Sequence, residues 1–405
     1  MRHISGAVNR RTLLTTAGGV AAGGVTLGGP SSGRAAVAPA TFTHPGMLHS
    51  WGDLNRARVR VARGDDPWLS GWARLVANRH SSSTWQPDPR PTIIRGGDGQ
   101  NYPVLYIDIH AAYQNALRWR IRGQRTHGDC ARDILNAWSG TLTTLAGNAD
   151  RFLAAGIYGY QFANVAELMR GYPGFELERF QQMMLDVFYP MNDSFLRNHN
   201  DACITNYWAN WDLCAMSSIL AIGILCDDAA KYDQAVSYFK SGAGNGAVRN
   251  AIPFVYDDQG LAQWQESGRD QPHSVMGIGL MGAFCEMAWT QGDDLYGYDD
   301  YRFLKAAQYV AKYNLGEDVP FTTYTWGTGQ SCAYREQTFI SSAGRGQLRP
   351  VWESLHFHYT RRRRLSVPHI SAMAARVRAE GGGGDYGPNS GGFDQLGFGT
   401  LAYAK

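Results

Sequence analysis

Two stretches of the chain pass from a polar, aromatic entrance into a long apolar run at helical spacing. The first is Thr205-Asn206-Tyr207-Trp208-Ala209-Asn210-Trp211-Asp212, followed by Leu213, Met216, Ile219, Leu220 and Ile224. The second is Trp264-Gln265-Glu266-Ser267-Gly268-Arg269-Asp270-Gln271-Pro272-His273, followed by Val275, Met276, Ile278, Leu280 and Met281. Apolar positions recurring every three or four residues predict buried helices over residues 204–225 and 272–292, with the polar entrances forming two halves of one site. The same spacing predicts helices over residues 54–78, broken at Pro67, and over 104–122, 128–145, 152–171, 176–188, 232–242, 301–315, 350–359 and 368–378. No convincing strand lies between them, no heptad is sustained, and no run of 18 apolar residues would span a bilayer. Residues 81–102, rich in Ser, Pro, Gly and Asp, read as a long surface loop near the cleft. The glycine run 381–384 reads as a flexible loop, and residues 393–399 as a packed tail. Many medium helices joined by short turns predict an all-α fold, an (α/α) toroid or incomplete barrel of helical hairpins whose inner ends line a cleft.

Composition refines this picture at three points. A chain of 405 residues, 44% hydrophobic and 18% charged, can bury one large core. Its first 40 residues hold Arg2, Arg10, Arg11 and Arg34 and no acid, so the formal charge of +3 becomes −1 without them. Polyanion affinity would then come from a local patch, and a nucleic-acid partner is not expected. The same residues carry Asn9-Arg10-Arg11-Thr12-Leu13-Leu14, a weakly apolar run to Gly29, and small residues at 35–40. These features predict a twin-arginine export signal over residues 1–40, a toroid domain over 41–405, and a location outside the cytoplasm. The six cysteines form no CxxC and no Cys/His spacing, so no zinc site is expected; pairing outside the cell is open to them, and buried thiols are the simpler reading for most.

The chemistry sits in the two entrances. Tyr207, Trp208, Trp211 and Trp264 offer flat apolar faces beside amides, a combination that suits sugar rings, and core packing is the competing reading. Asn206 and Asn210 are four apart, which on a helix is one face; two poor helix formers there suggest capping or ligand contact. Arg269, Gln271 and His273 gather around a helix start at Pro272 and would together neutralise a carboxylate. The alternative is a capping network, with Asp270 at the cap and Arg269 paired to Glu266. The basic run 361–364 is either a solvated helix end or a contact for a polyanion.

These motifs, taken in order, carry a resemblance. Asn-Trp-Asp (210–212), Gly-Asn-Gly (244–246), Gln-Trp-Gln-Glu-Ser-Gly-Arg-Asp-Gln-Pro-His (263–273) and Ala-Trp-Thr-Gln-Gly-Asp-Asp-Leu (288–295) resemble the alginate lyase-type polysaccharide lyases. The closest likeness is to the family 38 branch of glucuronan and alginate lyases. Tyr313-Asn314-Leu315-Gly316, Arg349-Pro350-Val351-Trp352-Glu353 and His358-Tyr359 extend it. The resemblance implies a toroid that cleaves uronic-acid polymers by β-elimination without metal or cofactor, with an acidic polysaccharide as partner. It assigns carboxylate neutralisation to Asn210, Arg269 and His273, with His273 as a possible base instead. Asn206, Tyr207, Trp208, Trp211, Gln271 and Arg349 would bind substrate. It points to Tyr324 as proton carrier, with Tyr313, Tyr334 and Tyr359 as competitors. Two other classes remain to be weighed: a glycoside hydrolase working with two carboxylates from Asp212, Glu266, Asp270, Glu336 and Glu353, and a non-catalytic carbohydrate-binding protein.

Overall fold

A computed structural model describes residues 41–327, 332 and 335–405. They belong to one compact unit, Ala36–Lys405, and the export signal expected over 1–40 lies outside the described residues. The chain enters as an extended strap and forms α1 (Trp51–Arg63) and α2 (Trp68–Ala77). Ser50 and Asp53 build a capping box on α1, and Gly64 closes it at φ 78°. Strand β1 (Thr92–Ile94) precedes α3 (Pro103–Arg122) and α4 (Arg125–Ser139), then β2 (Thr144–Ala146) pairs back onto β1 in parallel. Helix α5 (Arg151–Leu153) passes through a π-turn, Ala154–Tyr158, into α6 (Gly159–Met169). Helix α7 (Leu177–Met183) does likewise through Met184–Phe188 into α8 (Tyr189–Asn198). After α9 (Ala209–Leu225), α10 (Ala229–Ser241) and α11 (Val248–Ala251) comes the hairpin β3 (Phe254–Tyr256) and β4 (Leu261–Gln263). Helices α12 (Gln271–Thr290) and α13 (Tyr298–Asn314) lead to a second hairpin, β5 (Tyr324–Trp326) and β6 (Arg335–Gln337). Helices α14 (Trp352–Phe357), α15 (Pro368–Val377) and α16 (Gly399–Tyr403) finish the chain.

Burial sorts these helices into two layers. Every residue of α6 is buried, as is every residue of α9 except Trp211. Helices apolar all round belong inside. Helices α4 and α10 bury only a stripe, such as Tyr232, Ala235, Val236 and Phe239 of α10, and lie outside. The inner helices α3, α6 and α9 run parallel. At their C-terminal ends Arg120 Nε donates to the Leu168 carbonyl (2.6 Å) and Arg170 Nη2 to that of Leu225 (2.5 Å). The strap crosses this end, with His44 between Glu167 (2.6 Å) and Asp227 (2.9 Å), while Thr290 of α12 donates to Gly46 O (2.7 Å). At the opposite end Arg95 Nη1 reaches Tyr158 Oη (3.1 Å) beside the α3 start, and Gly156 packs against Cys214 of α9. The polar entrances therefore open on one face of the toroid, held by a core that runs through all the inner helices.

Several expectations need correction. Helix α9 begins at Ala209, so Asn206 lies in the preceding loop and shares no helical face with Asn210. Three short ladders exist where no strand was expected, because each is a three-residue pairing too brief to show a period. The glycine run is packed: Gly381, Gly382 and Gly383 are buried and Gly382 bridges to Gly397. A Cβ on Gly383 would stand 2.3 Å from His110 Nδ1, so only glycine allows this approach. Of the basic run, Arg362 pairs with Glu286 (2.7 Å) and Arg363 with Asp294 (2.9 Å), so these two hold the fold rather than face solvent freely. Cys203 and Cys332 form a disulfide with Cα atoms 5.5 Å apart, while Cys130, Cys214, Cys226 and Cys285 are free. No described helix is long and apolar enough to cross a membrane.

Candidate active site

The first turn of α9 needs acceptors for its free N–H groups, and the segment before α12 supplies them. Gln265 Oε1 accepts from Ala209 N (3.0 Å), and Glu266 Oε1 accepts from Asn210 N (3.1 Å). The two entrances are thus joined through adjacent side chains. Glu266 is fully buried and its Oε2 accepts from Arg269 Nη1 (2.8 Å). Burial raises its carboxyl above the usual range, and Arg269 and the Asn210 N–H oppose that rise. Arg269 Nη2 donates to His273 Nε2 (3.0 Å), while His273 Nδ1 donates to Asp270 (2.8 Å). In this arrangement the imidazole is neutral, with its proton on Nδ1 and its lone pair facing the guanidinium. Asp270 also caps α12 by accepting from His273 N (2.8 Å). Burial pushes Asp270 up, but the His273 hydrogen bonds and the Arg269 charge hold it below its ordinary value.

Aromatic rings wall this cluster. The Arg269 guanidinium lies 4.9 Å from the Trp208 ring, and Trp208 packs on Trp326 at 4.3 Å. Tyr324 stacks parallel to Trp326 at 6.0 Å. Burial pushes the Tyr324 hydroxyl up to about 12; the Gln265 amide pulls it down and the Glu266 charge raises it. Asn210 is buried, its Oδ1 has no hydrogen-bond partner, and its Nδ2 meets only Met276 Sδ at 3.9 Å. The amide oxygen is thus unused, and the N–H groups meet only a thioether sulfur, a weak acceptor.

The structure therefore brings Asn210, Arg269, His273, Trp208 and Tyr324 together. Tyr207 and Trp211 form an adjoining aromatic pair, 4.5 Å apart, against Phe195. Asn206 stands on the loop beside them, its carbonyl 3.5 Å from Arg335 Nη1. Gln271 and Arg349 do not join the cluster. The Gln271 amide is buried, donating to Ser267 O and Ser341 O and accepting from Asn314, so both its N–H groups are spent inside the fold. Arg349 is buried against Asp394 (2.9 Å) and the Gly391 carbonyl (3.0 Å). Trp264 is wholly buried core. Of the competing tyrosines, Tyr359 is buried at Tyr296 O, Tyr313 lies under Arg345, and Tyr334 falls outside the described residues.

Two supports escaped the sequence. Asn245 Nδ2 clamps Thr205 O (3.0 Å) and Tyr207 O (2.6 Å), and Gly244 and Gly246 let this loop pass against Asp212. The Gly-Asn-Gly motif was the visible signal for it. The disulfide ties the same loop to the chain beyond β5, and a separation of 129 residues gave no signal. Among the described residues no three His, Cys, Asp or Glu side chains gather as metal ligands would.

The alginate lyase family model matches residues 106–320. No curated protein matches the chain. Alginate lyase A1-III from Sphingomonas species A1 is similar in structure with a TM-score of 0.56 and 14% identity, covering 90% of this chain and 98% of that one. An alginate lyase from Bacteroides ovatus gives 0.56 and 12%, covering 89% and 100%. A tyrosine-to-phenylalanine variant of A1-III complexed with a tetrasaccharide gives 0.53 and 15%, covering 90% and 97%. At these identities the likeness establishes the toroid fold.

Proposed function

The chain belongs to the alginate lyase family and is a polysaccharide lyase; we propose that it cleaves 4-O-linked uronic-acid polymers by β-elimination without a metal, outside the cytoplasm. Alginate and glucuronan are the proposed polymers, with family 38 as the branch. The observation that carries this reading is the join at Glu266, which sets a guanidinium, an imidazole and an unused amide around one aromatic-walled space. The C5 proton of a uronate lies α to a carboxylate and is scarcely acidic until that carboxylate is neutralised. Arg269 and the Asn210 amide supply donors for it, and they stabilise the enolate as charge grows.

Proton transfer follows from the two neighbours. When Arg269 turns to the substrate carboxylate it releases the His273 Nε2 lone pair, which takes the C5 proton. The C–H electrons form the C4–C5 double bond, the C4–O4 bond breaks, and the Tyr324 hydroxyl protonates O4. A hydroxyl raised to about 12 keeps its proton at neutral pH, so Tyr324 suits the acid better than the base. Asp270 fixes the tautomer by accepting from Nδ1. The tetrasaccharide held by A1-III supports an oligosaccharide as the cleft's ligand here. The disulfide supports export, since such bonds persist in oxidising compartments.

A hydrolase reading fares worse on geometry. Asp212 is committed to His199 (2.8 Å) and Tyr238 (2.7 Å), Glu353 to Arg378, and Glu266 and Asp270 to the cluster itself. The test is incubation with alginate and glucuronan in the presence of a chelator. A rising ultraviolet absorbance of 4,5-unsaturated ends is expected. New reducing ends without that absorbance would indicate hydrolysis, and neither signal would indicate a binding protein; both outcomes overturn the proposal.

A further inference from the structure

The end of the toroid opposite the cleft carries a second set of groups suited to sugar. Trp51, the first residue of α1, is 54% exposed, which is unusual for so large an apolar ring. Beside it lies Trp119, near the C-terminal end of α3. The guanidinium of Arg120 rests against both indoles, 4.7 Å from Trp51 and 4.1 Å from Trp119. Arg120 is anchored from behind by the Leu168 and Arg170 carbonyls (2.6 and 3.3 Å), so the cation between the rings is held in place. A groove runs along them, with the exposed Arg58 and Arg122 on its rim. Arg58 donates only to Asn55 Oδ1 (2.7 Å), and none of Arg58, Arg120 and Arg122 forms an ion pair among the described residues. Three guanidinium groups without carboxylate partners thus border two indoles.

We propose that this groove is a second binding site for the acidic polysaccharide, separate from the cleft. A uronate polymer presents an apolar ring face to an indole and a repeated carboxylate to an arginine, which is the pairing this groove offers. The inference rests on the polyuronate reading given above, and charge complementarity selects this occupant over a neutral glycan. From Tyr106 at the cleft end of α3 to Trp119 is thirteen residues, about 20 Å along the helix axis. One sugar unit cannot touch both places, so the groove holds polymer that the cleft is not cleaving and keeps the enzyme on its substrate.

Native electrophoresis through gels containing alginate or glucuronan tests this, with His273→Ala protein as host so that the polymer survives. Trp51→Ala should weaken retardation, raising the apparent Kd about fivefold, as losing one stacking or cation–π contact does. Arg58→Gln with Arg122→Gln should do the same, and these exposed positions leave folding intact, which circular dichroism checks. Hydroxyethyl cellulose should retard all forms equally. Unchanged Kd values in both variants overturn the site. Equal loss of retardation in a DNA-containing gel would mark a general polyanion patch, and a variant-sensitive dimer in light scattering would mark a self-association face; either result overturns the proposal too. If wild-type protein cleaves no polyuronate, the lyase reading falls, yet the retardation comparison still reports on the groove.

Discussion

At the scale of single residues, the cluster makes separable demands on charge, proton and position. Tyr324→Phe removes a hydroxyl and little volume, so kcat should fall by about 10²–10³ while KM and Tm stay close to wild type. Arg269→Ala should cost a similar factor in kcat, because its contact strengthens as the enolate forms. If the cluster were only a cap, both variants would lower Tm and leave the folded fraction active, so kcat and Tm measured on the same preparations separate the readings. Glu266→Gln is a third case. Its amide cannot accept from Asn210 N and Arg269 without turning an N–H toward one of them, so stability should drop by about 1–3 kcal/mol together with activity. Denaturation and turnover assays check this pairing of losses. The Arg269–His273 contact was legible because residues four apart on a helix entrance meet. The burial of Gln271 was not, since nothing in the local sequence shows that Asn314, Ser267 and Ser341 enclose it.

At the scale of elements, the site depends on a loop between α8 and α9 that the periodicity read as helix. The apolar spacing of α9 was clear from Leu213 onward, but its start is set by acceptors on Gln265 and Glu266, more than fifty residues away. Helix starts satisfied by distant side chains leave no capping signature nearby. The loop is held by the Asn245 clamp and by the Cys203–Cys332 disulfide. Replacing both cysteines with serine opens a loop of well over a hundred residues, which should cost about 2–4 kcal/mol of stability. It should also raise KM more than it lowers kcat, because the loop carries aromatic walls and no proposed proton carrier. Thermal melts and Michaelis curves in oxidised and reduced protein provide the check, and a reductant with no effect on either would contradict the clamp.

At the scale of the whole molecule, the chain returns at its C-terminus to the inner face of the toroid, and buried histidines meet it there. His110 of α3 is fully buried, its Nε2 donating to Gln161 Oε1 and Phe393 O (both 3.0 Å) and its Nδ1 without a partner. His80 packs on Phe393 at 5.5 Å. Burial pushes both imidazoles down to about 4 from an ordinary 6.5. Such groups are neutral in the folded chain but charged in the unfolded one below pH 6.5. Their contribution is therefore complete above 6.5 and is lost as pH falls toward 4. For His110 that gap corresponds to about 3 kcal/mol. Glu380 acts with the opposite sign: burial and the Glu353 charge raise it to about 8 from 4.5, so its cost grows between those values as pH rises. A variant comparison isolates the histidine. His110→Gln should be less stable than wild type at pH 7, where the hydrogen bonds matter, yet lose about 2 kcal/mol less between pH 7 and 4.5. Urea titrations of both proteins at the two pH values measure this difference. Equal losses would mean that His110 takes up its proton without disturbing the tail it holds, and the link from a buried imidazole to acid stability would fail.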